Sequence, residues 1–146
     1  MRAVVQRVTD ARVMVDGEAV GEIGPGLCLL LGVARDDNAE TAERLAGRIA
    51  RLRIFDNANG KFDRSVLDTG GSVLVVSNFT LIADSARGNR PSFSDGAEPA
   101  QAQLLYESFC ATLRELGVPV ETGRFGARMR VEVANDGPVT VVLETP

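Results

Sequence analysis

Histidine is missing from this 146-residue chain. Its absence removes the Ser-His-Asp triad, the Cys-His dyad and the usual zinc ligand sets together. Any catalysis must therefore run without an imidazole. Cysteine is scarce: Cys28 and Cys110 lie far apart and outside any CxxC, so both read as buried, reduced, structural residues. Long apolar runs are lacking. The longest, around Leu27 to Leu31, is strand-sized, so no membrane span is expected. At the start, the charge of Arg7 arrives before any apolar stretch of useful length, which does not fit a secretory leader. Together these absences predict a cytoplasmic protein. Excess positive charge is lacking as well. A formal net charge of −4 argues against broad adhesion to nucleic acid but leaves a local basic patch open, and Arg87, Arg90, Arg124, Arg128 and Arg130 cluster in the second half.

What is present suits one domain over residues 1–146. Apolar content is 45% and charged content 25%, both ordinary for a globular chain long enough to bury a core. Residues 2–8 and 12–15 read as strands. Asp16-Gly17 then marks a tight hairpin to Glu18-Ala19-Val20, because both central residues of a type I′ turn need positive φ. Leu27 to Val33 reads as a central strand. Asp36-Asp37-Asn38 offers cap chemistry for a helix over 39–53 with Leu45, Ile49 and Leu52 on one face. A turn at 56–60 and a loop over 61–69 follow. Gly70-Gly71 open the most apolar strand, Ser72 to Val76. The polar, aperiodic stretch 84–96 is long for a connector, and such loops are often functional. A second helix spans 99–116, stopped by Gly117. Strands at 129–133 and 139–143 flank a turn at Asn135-Asp136-Gly137-Pro138. Strands outnumber helices and much of the pairing reads as hairpins. The expectation is α+β: a mostly antiparallel, curved sheet or barrel with two packed helices.

Three constellations carry chemistry. Ser77, Asn78 and Thr80 sit where the buried strand emerges, with Phe79 and Leu81 interleaved; a core beneath holds such groups rigidly. Thr80 as a nucleophile needs a base, and neither histidine nor a nearby lysine supplies one. Main-chain N–H groups near Phe79 and Thr80 are better candidates, as oxyanion donors. Gly137-Pro138 in a tight turn is a place where a cis bond could aim neighbouring carbonyls, a plain trans turn being the alternative. Phe125, between Arg124 and Gly126, either stacks a nucleobase while arginines meet phosphate or serves as a core residue between strands.

Ser77-Asn78-Phe79-Thr80-Leu81 and Asn135-Asp136-Gly137-Pro138-Val139-Thr140 resemble the two signature motifs of the D-aminoacyl-tRNA deacylase family. The resemblance runs end to end, through Ala3 to Val8, Arg53-Ile54-Phe55, Gly70 to Ser77, Arg87 to Ser94 and Thr122 to Phe125. It implies a homodimeric hydrolase that cleaves the ester joining a D-amino acid, or glycine, to the 3′-terminal adenosine of tRNA, with no metal or other cofactor. It also implies that Gly137 and Pro138 form a cis pair facing the partner subunit's pocket, where an L side chain clashes. Arg7 and Met129 would brace that motif, and Phe125 would stack on the terminal adenine. The neighbouring ribose 2′-OH would help activate water. The family motif usually has Gln where this chain has Asn78, one methylene shorter. Two readings compete with the enzyme: a non-catalytic dimeric module that binds tRNA ends or another partner, and a generic esterase, which lacks a nucleophile elbow here.

Overall fold

The computed structural model describes residues 1–145. Strand β1 runs unbroken from Arg2 to Val15, where the sequence suggests two strands. Its pairing slips between Gln6 and Val8 and again between Val8 and Asp10. The slip changes which face is buried. Ala3 and Val5 join the core under the helices, whereas Val8, Ala11, Val13 and Val15 join a second core on the opposite face. One strand thus serves two cores because the slips turn its side chains over midway. The hairpin to β2 (Glu18–Ile23) has Asp16 and Gly17 at φ 50° and 80°, as the Asp-Gly signal predicts.

The six-stranded sheet runs β2-β1-β3-β6-β7, with β8 along the other edge of β1. Strands β3 (Gly26–Gly32), β6 (Ser72–Ser77) and β7 (Val120–Thr122) are parallel to one another. The sheet is therefore mixed: β1 pairs antiparallel with β2, β3 and β8, as expected of most of the sheet, whereas the β3–β6–β7 part is parallel, which the hairpin reading did not foresee. The cause lies in the connections. Helices α1 (Ala39–Ala50) and α3 (Pro99–Glu115) lie in the β3–β6 and β6–β7 crossovers, and such crossovers return the chain in the same direction. The uninterrupted apolar runs Leu27–Leu31 and Val73–Val76 are the matching sequence sign, since parallel strands are covered on both faces.

Between them the helices bury Leu45, Ile49, Phe109 and Leu113 against Leu27, Leu29 and Leu31. Asn38 caps α1 through a reciprocal bond with Thr41. The stretch expected as a loop over 61–69 contains β5 (Phe62–Arg64), paired with β4 (Phe55–Asp56), and a one-turn helix α2 (Val66–Thr69). The α2 capping box, Ser65 with Asp68, was legible as S-x-x-D. The two expected helices are thus joined by a short third. Among the described residues no helix is long and apolar enough to cross a membrane.

The sheet curls until β2 approaches β6 and β7. Gly21 permits the approach: a Cβ there would run into the Thr122 carbonyl. Gly21→Ala is expected to lower stability by about 1–3 kcal/mol, the usual range for overpacking a site that cannot relax. Denaturant titration checks it; a midpoint equal to wild type would mean that β2 and β7 slide apart freely.

The last strand, β8 (Arg130–Glu144), also merges two expected strands. It pairs with β1 almost throughout, but the register jumps from Thr140 opposite Gln6 to Asn135 opposite Val8. Residues 136–139 are therefore looped out opposite Arg7. Asn135 laces the loop shut: its Oδ1 accepts from Val139 N–H at 2.8 Å, and its Nδ2 donates to the Val139 carbonyl and the Thr140 hydroxyl, both at 3.2 Å.

Candidate active site

Strand β6 ends on a tightly fixed corner. Asn78 N–H donates to the Leu31 carbonyl at 2.8 Å, tying the strand end to β3. Asn78 then caps a 3₁₀ turn over Phe79–Ile82. Its Oδ1 accepts from Thr80 N–H at 3.2 Å and, more closely, from the Thr80 hydroxyl. Asparagine is a favoured cap because its short side chain reaches the backbone two residues on. The Thr80 amide is therefore already committed. Its hydroxyl donates to an amide oxygen, which is no base, so nothing here raises its nucleophilicity. Phe79 N–H has no acceptor among the described residues. The Asn78 Nδ2 is likewise unpartnered among them.

Beside this corner lies a cleft of about 550 Å³. Ser77, Asn78 and Phe79 form one wall, Phe125, Gly126, Ala127 and Met129 another, and Leu30, Val76 and Val131 contribute from the sheet. Phe93, Gly96, Ala97 and Pro99 close the third side. No lining side chain carries a charge or titrates near neutral pH. Phe79 is 65% exposed and meets Phe93 edge-on at 5.2 Å between ring centroids. Phe125 rests on Tyr106 at 5.9 Å. Tyr106 is buried and its hydroxyl donates to the Val75 carbonyl on β6 at 2.9 Å. Burial pushes its phenol pKa well above the ordinary range, so it stays a neutral donor. Met129 lies against Gly123, where a Cβ would come within 2.6 Å of the sulfur.

Gly137 and Pro138 are elsewhere. They are joined by a cis peptide and stand exposed on the looped-out part of β8. Arg7 holds this loop from below. Its Nε donates to the Asp136 carbonyl at 3.1 Å, and a terminal nitrogen donates to the Ile54 carbonyl at 2.9 Å. Asp56 and Asp136 carboxylates lie at 3.4 and 3.6 Å. The guanidinium also sits 5.7 Å from the Phe62 ring centre. Arg7 and Asp136 line a second cleft with Pro25, Phe55 and Gly70, sharing no residue with the first.

The fold therefore brings Ser77, Asn78, Phe79, Phe125 and Met129 together, places Thr80 just behind them, and keeps Arg7, Gly137 and Pro138 in a separate group. Reading motifs alone did not single out Phe93 and Tyr106 beside the cleft, nor the hydrogen bonds by which Asn135 closes the β8 loop. Phe93 had a signal, an aromatic within the long polar loop. Tyr106 had none, because a helical tyrosine reads as core until its hydroxyl partner is known.

Residues 4–144 match the family model described as D-Tyr-tRNA(Tyr) deacylase. A D-aminoacyl-tRNA deacylase of Deinococcus radiodurans is 59% identical over 144 residues, covering 99% of both chains. One from Anaeromyxobacter dehalogenans is 57% identical over 145 residues, covering 99% of this chain and 97% of the relative. Among solved structures, one described as c-Myc DNA Unwinding Element Binding Protein superposes with a TM-score of 0.95 at 43% identity, over 100% of this chain and 99% of that one. A probable eukaryotic D-amino acid tRNA deacylase superposes with a TM-score of 0.84 over 97% of each chain; at 17% identity it speaks for the fold alone. With its two motifs on one folded frame and a match spanning nearly every residue, this chain belongs to the D-aminoacyl-tRNA deacylase family.

Proposed function

We propose that this protein hydrolyses the ester of D-aminoacyl-tRNA, and of glycyl-tRNA, while sparing the L form. The observation that carries the reading is the uncharged cleft at the end of β6, where Phe79 N–H is left without an acceptor among the described residues. An aminoacyl ester is already activated, so its hydrolysis asks mainly for orientation and for a donor aimed at the developing oxyanion. Phe79 N–H supplies the donor, and the free Asn78 Nδ2 lies beside it as a second. Water is activated by the ribose 2′-OH of the substrate, since no lining side chain is a base. Phe125, propped by Tyr106, stacks on the terminal adenine. No metal and no other cofactor takes part. The chain acts in the cytoplasm, on the 3′-terminal adenosine of charged tRNA.

The selectivity requires two copies. Gly137 and Pro138 share no cleft with Phe79 in one chain, and they stand exposed. In a homodimer the loop of one subunit enters the cleft of the other, with Met129 and Arg7 bracing it from either side. Strand β8 suits such pairing. It is a long, half-exposed edge with Val142 58% exposed, and open edges invite a second strand. A small main-chain wedge admits hydrogen on one side of the α-carbon and excludes a side chain, so discrimination comes from rejection.

The deciding experiment measures release of amino acid from D-, L- and glycyl-tRNA by purified protein. Release of the first and third with the second spared is expected. Equal hydrolysis of both enantiomers would remove the wedge. Binding of charged tRNA without hydrolysis of any amino acid would favour a binding module; the 43% identical relative is itself named for binding a DNA element. Thr80→Ala separates main-chain from covalent catalysis. It is expected to keep activity within roughly threefold of wild type, because only a hydrogen bond worth about 1 kcal/mol is lost from the turn. A trapped acyl-Thr80 on the wild-type protein would overturn this.

A further inference from the structure

Most arginines in this protein are occupied. Arg2, Arg7, Arg12, Arg35, Arg44, Arg53 and Arg130 are ion-paired, and Arg48, Arg51, Arg64 and Arg114 donate to main-chain carbonyls. Among the described residues, the arginine side chains with neither an ion pair nor a hydrogen bond are Arg87, Arg90, Arg124 and Arg128, and all four are exposed. Their positions are not scattered. Arg87 and Arg90 are on the tip of the 84–96 loop, whose neck is closed by two main-chain bonds between Asp84 and Ser92, each 2.8 Å. That loop gives the cleft Phe93 and Gly96. Arg124 and Arg128 bracket Phe125, Gly126 and Ala127, which form the facing wall. Unpaired, exposed arginines thus belong to two of the segments that wall one uncharged cleft, in a chain whose net charge is −4.

We propose that these two arginine pairs form a collar that grips the phosphodiester backbone of the RNA behind the nucleotide held in the cleft. The inference rests on the deacylase reading for the identity of that RNA. Guanidinium groups suit phosphate because they offer several donors in a planar fork and never lose their charge. Leaving them unpaired avoids breaking an internal ion pair on binding. A collar reads backbone, not bases, so it serves many tRNA sequences equally. It also concentrates the free guanidinium groups of an acidic protein on these two segments, since the other arginines are ion-paired or already donate to carbonyls.

The test uses the full-length Arg87→Gln/Arg90→Gln and Arg124→Gln/Arg128→Gln proteins, with Arg44→Gln/Arg51→Gln on α1 as the control. Two substrates are compared: D-aminoacyl-tRNA and the phosphate-free 3′-D-aminoacyl-adenosine. For each collar variant the ratio of kcat/KM on tRNA to kcat/KM on the adenosine ester is expected to fall about tenfold at moderate salt, with the salt slope for tRNA shallower by roughly 1.4 as two single-strand phosphate contacts are lost. The control leaves ratio and slope where they were. An unaltered ratio and slope in the collar variants, or an equal loss on both substrates, overturns the proposal. Binding of uncharged tRNA, titrated against salt for the same proteins, is read separately. If wild type hydrolyses neither ester, the deacylase reading has failed, and the collar then stands or falls on whether that binding slope changes.

Discussion

Purified protein is expected to release D-amino acids from tRNA about a thousandfold faster than the L enantiomers. The size follows from the proposed wedge. On that reading an L side chain meeting the Gly137–Pro138 main chain of the partner would tilt the ester away from Phe79 N–H. Losing one oxyanion donor costs about 10²–10³ in rate, and displacing a reacting group by about an ångström costs roughly a hundredfold. The two losses overlap, since one tilt causes both. A thousandfold difference corresponds to about 4 kcal/mol of transition-state discrimination. Glycine has no side chain to clash and is expected to follow the D substrates. Kinetics on one tRNA charged with D-, L- and glycyl groups measures all three. A D/L ratio below ten would mean that the wedge never reaches the cleft, and a monomer in solution would explain why.

Asn135→Ala is expected to be the most damaging change outside the cleft. Asn135 fastens both ends of the four-residue excursion in β8 through three hydrogen bonds to Val139 and Thr140. Each is worth about 1 kcal/mol, so stability should fall by roughly 1–3 kcal/mol. The functional loss is expected to be larger, about a hundredfold in kcat/KM on D substrates, because the loop carrying Gly137 and Pro138 loses its fixed position. The D/L ratio should shrink with it. Asn135→Asp keeps the acceptor for Val139 N–H, the shortest of the three bonds, and is expected to recover part of both. Unfolding curves beside deacylation rates decide the matter. A lowered midpoint with an unchanged D/L ratio would make Asn135 a purely structural lace.

Much of the architecture was legible beforehand. Asp16-Gly17 dictated a tight turn because few residue pairs tolerate positive φ twice. Leu45, Ile49 and Leu52, and Leu105, Phe109, Leu113 and Leu116, gave the two helices by their spacing; all are buried except Leu52 and Leu116, which lie just beyond the helix ends and are half-buried. The direction of the central strands was not legible from hairpin signals. It required weighing Val73–Val76 as a strand covered on both faces. The unbroken β1 and β8 were hidden because Thr9-Asp10 and Asp136-Gly137 look like turn residues, whereas here they occupy slips within a ladder. At the cleft, the Ser77–Leu81 motif announced itself by polar residues at a strand end. The capping role of Asn78 was hidden, since it depends on which backbone N–H groups the chain turns toward it. Met129 was reachable through its family position alone, and Phe125, which lines the cleft while packing against the core, kept features of both its readings.

The neutrality of the cleft has a pharmacological side. Covalent inhibitors work by finding a thiolate, an activated hydroxyl, an amine or an imidazole, and none borders this cavity. The two thiols are buried elsewhere, and burial raises each to about 11, so at physiological pH they are protonated and shielded from alkylating agents. On the function proposed above, a compound that blocks this cleft would have to succeed by shape, as a stable mimic of the aminoacylated nucleotide with the correct handedness.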